Sequence, residues 1–242
     1  MRGSRLTLAL SILSLVFPLG QAASDSAGLV RRAEVIGESA RGRPIRTIEL
    51  GDPASARTIL VVGCIHGNEC AGIAVSRLLA RGATPATFDL WIVPNLNPDG
   101  YALRVRQNAR GVDLNRNFPS EWRLMGQRWD PQYSGPRPLS ELETRIARRF
   151  ILRIEPDVTL WFHQPQALVR AWGQSIDTAR RYARLARVPY RSIRWPAGTA
   201  PNWQNHRFPG TASFVVELPP GPLSARAAAR YARAVRVLAA GG

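Results

Sequence analysis

No lysine occurs in this sequence; all 33 basic residues are arginine. A biased codon composition accounts for that more simply than a need for guanidinium chemistry. The arginines are scattered and no recognition motif accompanies them. A formal charge of +16 therefore does not mark a nucleic-acid-binding protein. Outside the cytoplasm such a charge draws a protein to anionic partners, with cell-wall polymers and membrane surfaces first. Internal repeats and low-complexity linkers are also missing, and 242 residues suit one domain rather than two. Beyond the first two dozen residues no apolar run is long enough to cross a bilayer. Histidine and cysteine are scarce, at three and two, so few positions are available for metal or thiol chemistry.

The chain opens with Arg2 and Arg5, an apolar run over 6–19 broken near its end by Pro18, and then Gly20-Gln21-Ala22. A positive start, a short apolar stretch and small residues at a cleavage point make a secretory signal peptide, cut after Ala22. The expected product is exported, periplasmic or extracellular, and a monomer. An uncleaved anchor is the alternative, although the run is shorter than the ~20 residues of a spanning helix. Residues 23–31 read as a flexible mature N-terminus and 32–242 as a single domain.

Within that domain, strand-like segments at 34–37 and 45–50 flank Arg41-Gly42-Arg43 and predict a hairpin. Continuous apolar runs at 59–65 and 89–96 predict buried strands. Further strands are expected at 158–162 and 213–218. Helices are expected from Ala71 to Gly82, from a Ser140/Glu143 capping box to about Arg153, over 177–187 and over 224–239. Residues 97–100 read as a turn and 101–138 as a long loop. Strands and helices alternate, so the fold class is α/β, a three-layer α/β/α sandwich around a mostly parallel mixed sheet. Ligands of such sheets gather at the carboxyl ends of the strands. His66, His163 and the Asn97 turn all follow strands directly.

A lone histidine after a buried strand is more often structural than a ligand. Here His66 and Glu69 lie three apart at a strand-to-helix turn, and His163 ends a neighbouring strand. A His-Glu-His set with an open fourth position is what catalytic zinc requires. Glu217, in the run Ser-Phe-Val-Val-Glu-Leu, reads either as the carboxylate that handles protons or as a buried structural acid paired with an arginine. Cys64 and Cys70 flank the His66–Glu69 segment, as a disulfide or as two buried thiols.

The sequence resembles the zinc metallocarboxypeptidase family across residues 32–240. The resemblance rests on HGNE at 66–69, NPDGY at 97–101, GVDLNRNFP at 111–119, SELE at 140–143, a strand ending in His163, and FVVELP at 214–219. It implies one zinc ion per chain, held by His66, Glu69 and His163, with Asp113 orienting the first histidine. It implies that Asn115 and Arg116 hold a substrate carboxylate, a task suited to the planar fork of arginine. Arg106 is matched to the group that stabilises the oxyanion, with Arg104 and Arg110 close by, and Glu217 to the general base and acid.

Two departures stand out. Asn68 replaces the arginine that digestive members carry between the first two ligands, and 202–206 lack their substrate-capping tyrosine. No inhibitory pro-domain fits before position 32. These features resemble the bacterial branch with murein peptide amidases, which cleave between D-glutamate and diaminopimelate. The expected substrate is a peptide or murein peptide. Residues 164–210, with Gln164, Trp172, Trp195, Trp203 and His206, are the candidate pocket wall. Two rival readings are an aspartoacylase-like or succinylglutamate desuccinylase-like N-acyl amino acid hydrolase, and a non-catalytic wall-peptide-binding protein on the same fold.

Overall fold

Three apolar runs of the sequence become the centre of one sheet. They form β3 (Thr58–Val62), β5 (Val158–His163) and β8 (Ala212–Glu217), each buried over almost its whole length. The computed structural model describes residues 28–241. The signal-peptide reading of 1–22 lies outside the described residues, as does most of segment 23–31. The end of that segment is ordered, because β1 (Val30–Glu38) begins two residues before the expected domain start.

The sheet has eight strands in the order β1-β2-β4-β3-β5-β8-β6-β7. The additional strands are β2 (Pro44–Gly51), β4 (Asp89–Val93), β6 (Leu168–Ala171) and β7 (Tyr190–Ser192). Pairs β4–β3, β3–β5, β5–β8 and β6–β7 are parallel; β1–β2, β2–β4 and β8–β6 are antiparallel. The mixed, mostly parallel sheet is as expected from the alternation of elements.

Side chains that alternate along β5 show how the layers divide. Phe162 meets Tyr231 of α6 (Ala225–Ala239), while its neighbour Trp161 meets Phe118 on the opposite face. Phe118 in turn stacks on Trp203 of α5 (Ala200–Arg207). The Phe162 face also carries α1 (Gly72–Arg81) and α4 (Ile176–Ala186), both packed on α6. The Trp161 face carries α5 and α3 (Leu142–Ile154), whose Phe150 packs edge-on against Trp91. Among the described residues no helix is long and apolar enough to cross a membrane.

Three local expectations change. The Asn97 turn is the start of a short helix, α2 (Pro98–Leu103), capped by the Asn97 side chain, which accepts from Gly100 N. The capping box at 140–143 does not form. Ser140 Oγ donates to Glu141 instead, and Glu143 accepts from Ala40 N and Asn108 Nδ2. The SELE residues thus pin the 101–138 loop and the β1–β2 turn rather than cap α3. Finally, β6, β7 and α5 occupy a stretch that the sequence left without elements.

Asp89, at the start of β4, is pushed up to about 6 by burial, partly offset by a hydrogen bond from Trp91 Nε1. A carboxyl raised on folding favours the folded state below its unfolded pKa, and that contribution is lost as pH rises through the folded value. The window here is from about 4 to about 6. Asp89→Asn should therefore gain stability near pH 7, on the order of 1 kcal/mol after solvent screening, and nothing at pH 4. Urea midpoints at the two pH values check this.

Candidate metal centre

After β3 the chain runs through Gly63, Cys64 and Ile65 to His66, whose ring is buried. Two features hold this loop. Asn97 Nδ2 donates to the carbonyls of Ile65 and Gln107. Gly67 lies against α2 so closely that a Cβ there would come within 1.9 Å of the Gly100 carbonyl carbon, which only glycine avoids. Asp99 of α2 is itself buried and accepts from the Arg43 guanidinium and Arg41 N. The NPDGY motif is thus a clamp under the loop. Cys64 and Cys70 lie side by side across the loop, Cα atoms 4.7 Å apart, a separation that a disulfide can span.

His163 ends β5 and Glu217 ends β8, and the two are register partners. His66 Nδ1 lies 3.0 Å from Glu69 Oε2, while His163 Nδ1 lies 3.1 Å from each of those atoms. His66 Nε2 donates to Asp113 Oδ1 at 2.9 Å, so in the neutral ring Nδ1 carries a lone pair. Three Lewis bases facing one another at this spacing repel unless a cation sits among them. Tetrahedral ligands about 2.0–2.1 Å from zinc stand roughly 3.3 Å apart. The observed triangle is close to that, so the residues fit the ion.

The charges around the triangle are tightly held. Burial opposes protonation of His66, but the Asp113 carboxylate and hydrogen bonds that the protonated ring donates to Asp113 and Glu69 outweigh it and raise its pKa. Burial lowers His163 to about 4, so this ring is neutral at pH 7. Glu69 and Asp113 lie far below the usual carboxylate range; burial opposes this, but the facing histidines overcome it.

Arg106 also lies at this site. Its guanidinium donates to Glu69 Oε1 and to Asp113 Oδ2, and its Nε also to Pro131 O. These contacts hold it beside Glu69 and Asp113 and leave one N–H on each terminal nitrogen for another acceptor.

Beside the triangle lies a cavity of about 230 Å³, with Arg106, Asn115, Arg116, Arg170 and Glu217 in its wall. Asn115 Oδ1 accepts from Ala200 N, and its Nδ2 lies 3.4 Å from His163 Nε2, with a second N–H remaining. Arg116 is 8% exposed and pairs with no carboxylate among the described residues; its NH1 donates to the Asn115 carbonyl and its Nε has no partner. Glu217 is buried, and its Oε2 has no partner either. Burial raises its pKa, with the Arg170 charge acting in the other direction.

Of the expected wall residues, Gln164 lines the cavity, but its amide is held by Ala71 N, Pro219 O and Gly221 O. Trp172, Trp195 and His206 line a separate cleft, and Trp203 is core. The sequence reading missed Arg170.

A zinc carboxypeptidase profile matches residues 20–199. The chain belongs to the zinc carboxypeptidase family. That membership favours the peptidase family over the acylase group. Murein peptide amidase A of Escherichia coli K12 is 34% identical over 148 residues, covering 56% of this chain and 60% of the relative. This chain therefore spans less than two thirds of that relative. Carboxypeptidase B of Astacus astacus is 26% identical over 209 residues, 70% of this chain and 69% of that one. The crystal structure of a murein-tripeptide amidase from Escherichia coli O157 superposes with a TM-score of 0.71 at 27% identity, covering 91% of this chain and 96% of that one. Carboxypeptidase A from Helicoverpa armigera shares the fold, with a TM-score of 0.74 at 17% identity over 88% of this chain and 69% of that one.

Proposed function

We propose that this metallocarboxypeptidase-type enzyme cleaves an amide bond next to a free carboxylate in murein peptides, between D-glutamate and diaminopimelate. It does so with one zinc ion held by His66, Glu69 and His163. The observation that carries the reading is Glu217: a buried carboxylate with an unpartnered oxygen, in the same cavity as the ligand triangle. Such a group is costly unless a reacting water or substrate completes it. The likeness to the two murein amidases supports the substrate assignment, as does the absence of the digestive-type arginine at Asn68.

Zinc, when bound, polarises the scissile carbonyl and makes water a competent nucleophile near neutral pH. Glu217 accepts a proton from that water and delivers it to the leaving amine. Arg116 and the remaining N–H of Asn115 Nδ2 hold the carboxylate beside the bond. Asp113 fixes the His66 ring so that Nδ1 faces the metal. Arg106 keeps Glu69 and Asp113 in place and offers its remaining N–H groups toward the developing oxyanion. The acyl side of the substrate lies in an open groove of about 610 Å³ next to the triangle, lined by Asn68, Tyr101 and Arg104 among others. Export, with a signal peptide removed near Ala22, brings the enzyme to its wall substrate.

Incubation of the zinc-loaded protein with murein tripeptide and with ordinary C-terminal peptides, followed by mass spectrometry, tests the assignment. Release of diaminopimelate from the tripeptide is expected. Exclusive trimming of ordinary peptides would overturn it. Arg116→Ala should raise KM for murein tripeptide by about 10- to 100-fold, measured by steady-state kinetics.

A further inference from the structure

Arg170 has no part in the roles assigned above, yet it lies in the same cavity. It sits on β6 opposite Val215, and β6 pairs antiparallel with β8 so that Leu168 faces Glu217. Side chains alternate along strands, so Arg170, Val215 and Glu217 point to one face of the sheet. That is the face of Trp161, on which the loop carrying Asn115, Arg116 and Phe118 also lies. Arg170 and Glu217 are diagonal neighbours, roughly 7–8 Å apart at the backbone. Arg170 is two residues further from the strand end, and so deeper in the cavity.

Its surroundings leave it uncompensated. Among the described residues it forms no ion pair, and its Nε is buried without a hydrogen bond. Glu217, its diagonal neighbour on β8, is not in salt-bridge contact with it. The other acid of the cavity, Glu69, is taken up by His66, His163 and Arg106. Arg116 likewise has no carboxylate. Two guanidinium groups without carboxylate partners therefore share one small cavity, and a bound divalent cation adds to the positive charge. A leaving residue with only its terminal carboxylate satisfies Arg116 and leaves Arg170, a half-buried charge, without a carboxylate.

We propose that Arg170 is a specificity-determining residue, and that the cavity selects a leaving residue with a second carboxylate on its side chain. The terminal carboxylate goes to Arg116 and Asn115, and the side-chain carboxylate reaches down to Arg170. This rests on the proposed hydrolysis for the placement of the leaving residue. Two substrate types carry such a group: an ordinary acidic residue, and a diamino dicarboxylate whose far end also bears an ammonium group. Gln166, also in the wall, offers a polar amide to that end.

The test uses peptides that differ only in the leaving residue: glutamate, diaminopimelate, glutamine or norleucine. With the zinc-loaded wild type, kcat/KM should be about 10- to 100-fold higher for at least one of the two acids than for glutamine and norleucine. Which acid gains identifies the source of the carboxylate. Arg170→Gln should reduce that ratio to within about threefold; Arg170→Met serves if the glutamine variant does not fold. Equal turnover of acidic and neutral leaving residues by the wild type overturns the proposal, as does a preference that survives in both variants.

A binding measurement separates this outcome from failure of the hydrolase assignment. Calorimetric titration of Glu217→Gln protein with free glutamate, diaminopimelate and norleucine should show tighter binding of an acid, lost when Arg170 is also replaced. If no peptide is cleaved, the assigned hydrolysis fails, while the order of these affinities still decides the role of Arg170.

Discussion

Glu217→Gln should lower kcat by about 10²- to 10⁴-fold while leaving zinc content unchanged. Glutamine keeps the size and polarity of the side chain but cannot accept the proton of the attacking water. The residue lies in the cavity wall and not among the three atoms of the ligand triangle, so metal retention is the expected control. A variant that keeps full activity would remove Glu217 from the mechanism. The same residue sets a pH dependence. Its carboxylate must be ionised to act as a base, and burial holds its pKa above the ordinary glutamate value. Activity in the wild type is therefore lost on acidification at a higher pH than an ordinary glutamate, at about 4.3, would give. A kcat/KM profile from pH 4 to 8 shows where that limb falls.

The second large effect is loss of a ligand. His66→Ala should abolish stoichiometric zinc binding and reduce hydrolysis to background, measured by metal analysis and product release. Asp113→Asn should be milder, with metal affinity down by about 10- to 100-fold. Asp113 Oδ1 accepts from His66 Nε2 and also from Asn115 N, so it fixes both a ligand and the first residue of the carboxylate clamp. An asparagine can present its amide to the ring instead, and Nδ1 then no longer has a guaranteed lone pair for the metal. If His66→Ala retained full zinc occupancy, the triangle would not be the metal site.

Much of this was legible from the order of residues. The runs at 59–65, 158–162 and 213–218 are apolar because their strands are covered on both faces, and that pattern needs no partner information. His66, His163 and Glu217 stand at or just past the ends of those runs, and the sheet brings them to one cavity with Glu69. The elements missed share a cause. β6 is four residues long and is interrupted by Arg170, whose polarity serves the cavity and hides the strand. One arginine among 33 carries no signal of its own; only the register against Val215 gives it a place. The Ser140/Glu143 pattern failed as a helix cap because Asn108 and Ala40, distant in sequence, compete for Glu143. The aromatic wall expected from Trp172, Trp195 and Trp203 failed similarly: Trp203 is consumed by stacking on Phe118.

The strand order has a consequence for how the enzyme comes into being. A chain made from its N-terminus acquires β3, β4 and β5 early, and β3 pairs directly with both of the others. The ligand triangle draws only on the ends of β3 and β5. β8 is the final strand in the chain, yet it sits between β5 and β6. Glu217 arrives with it. In chain order the three proposed ligands therefore precede the proposed proton carrier, whose place depends on a late strand entering between two earlier ones.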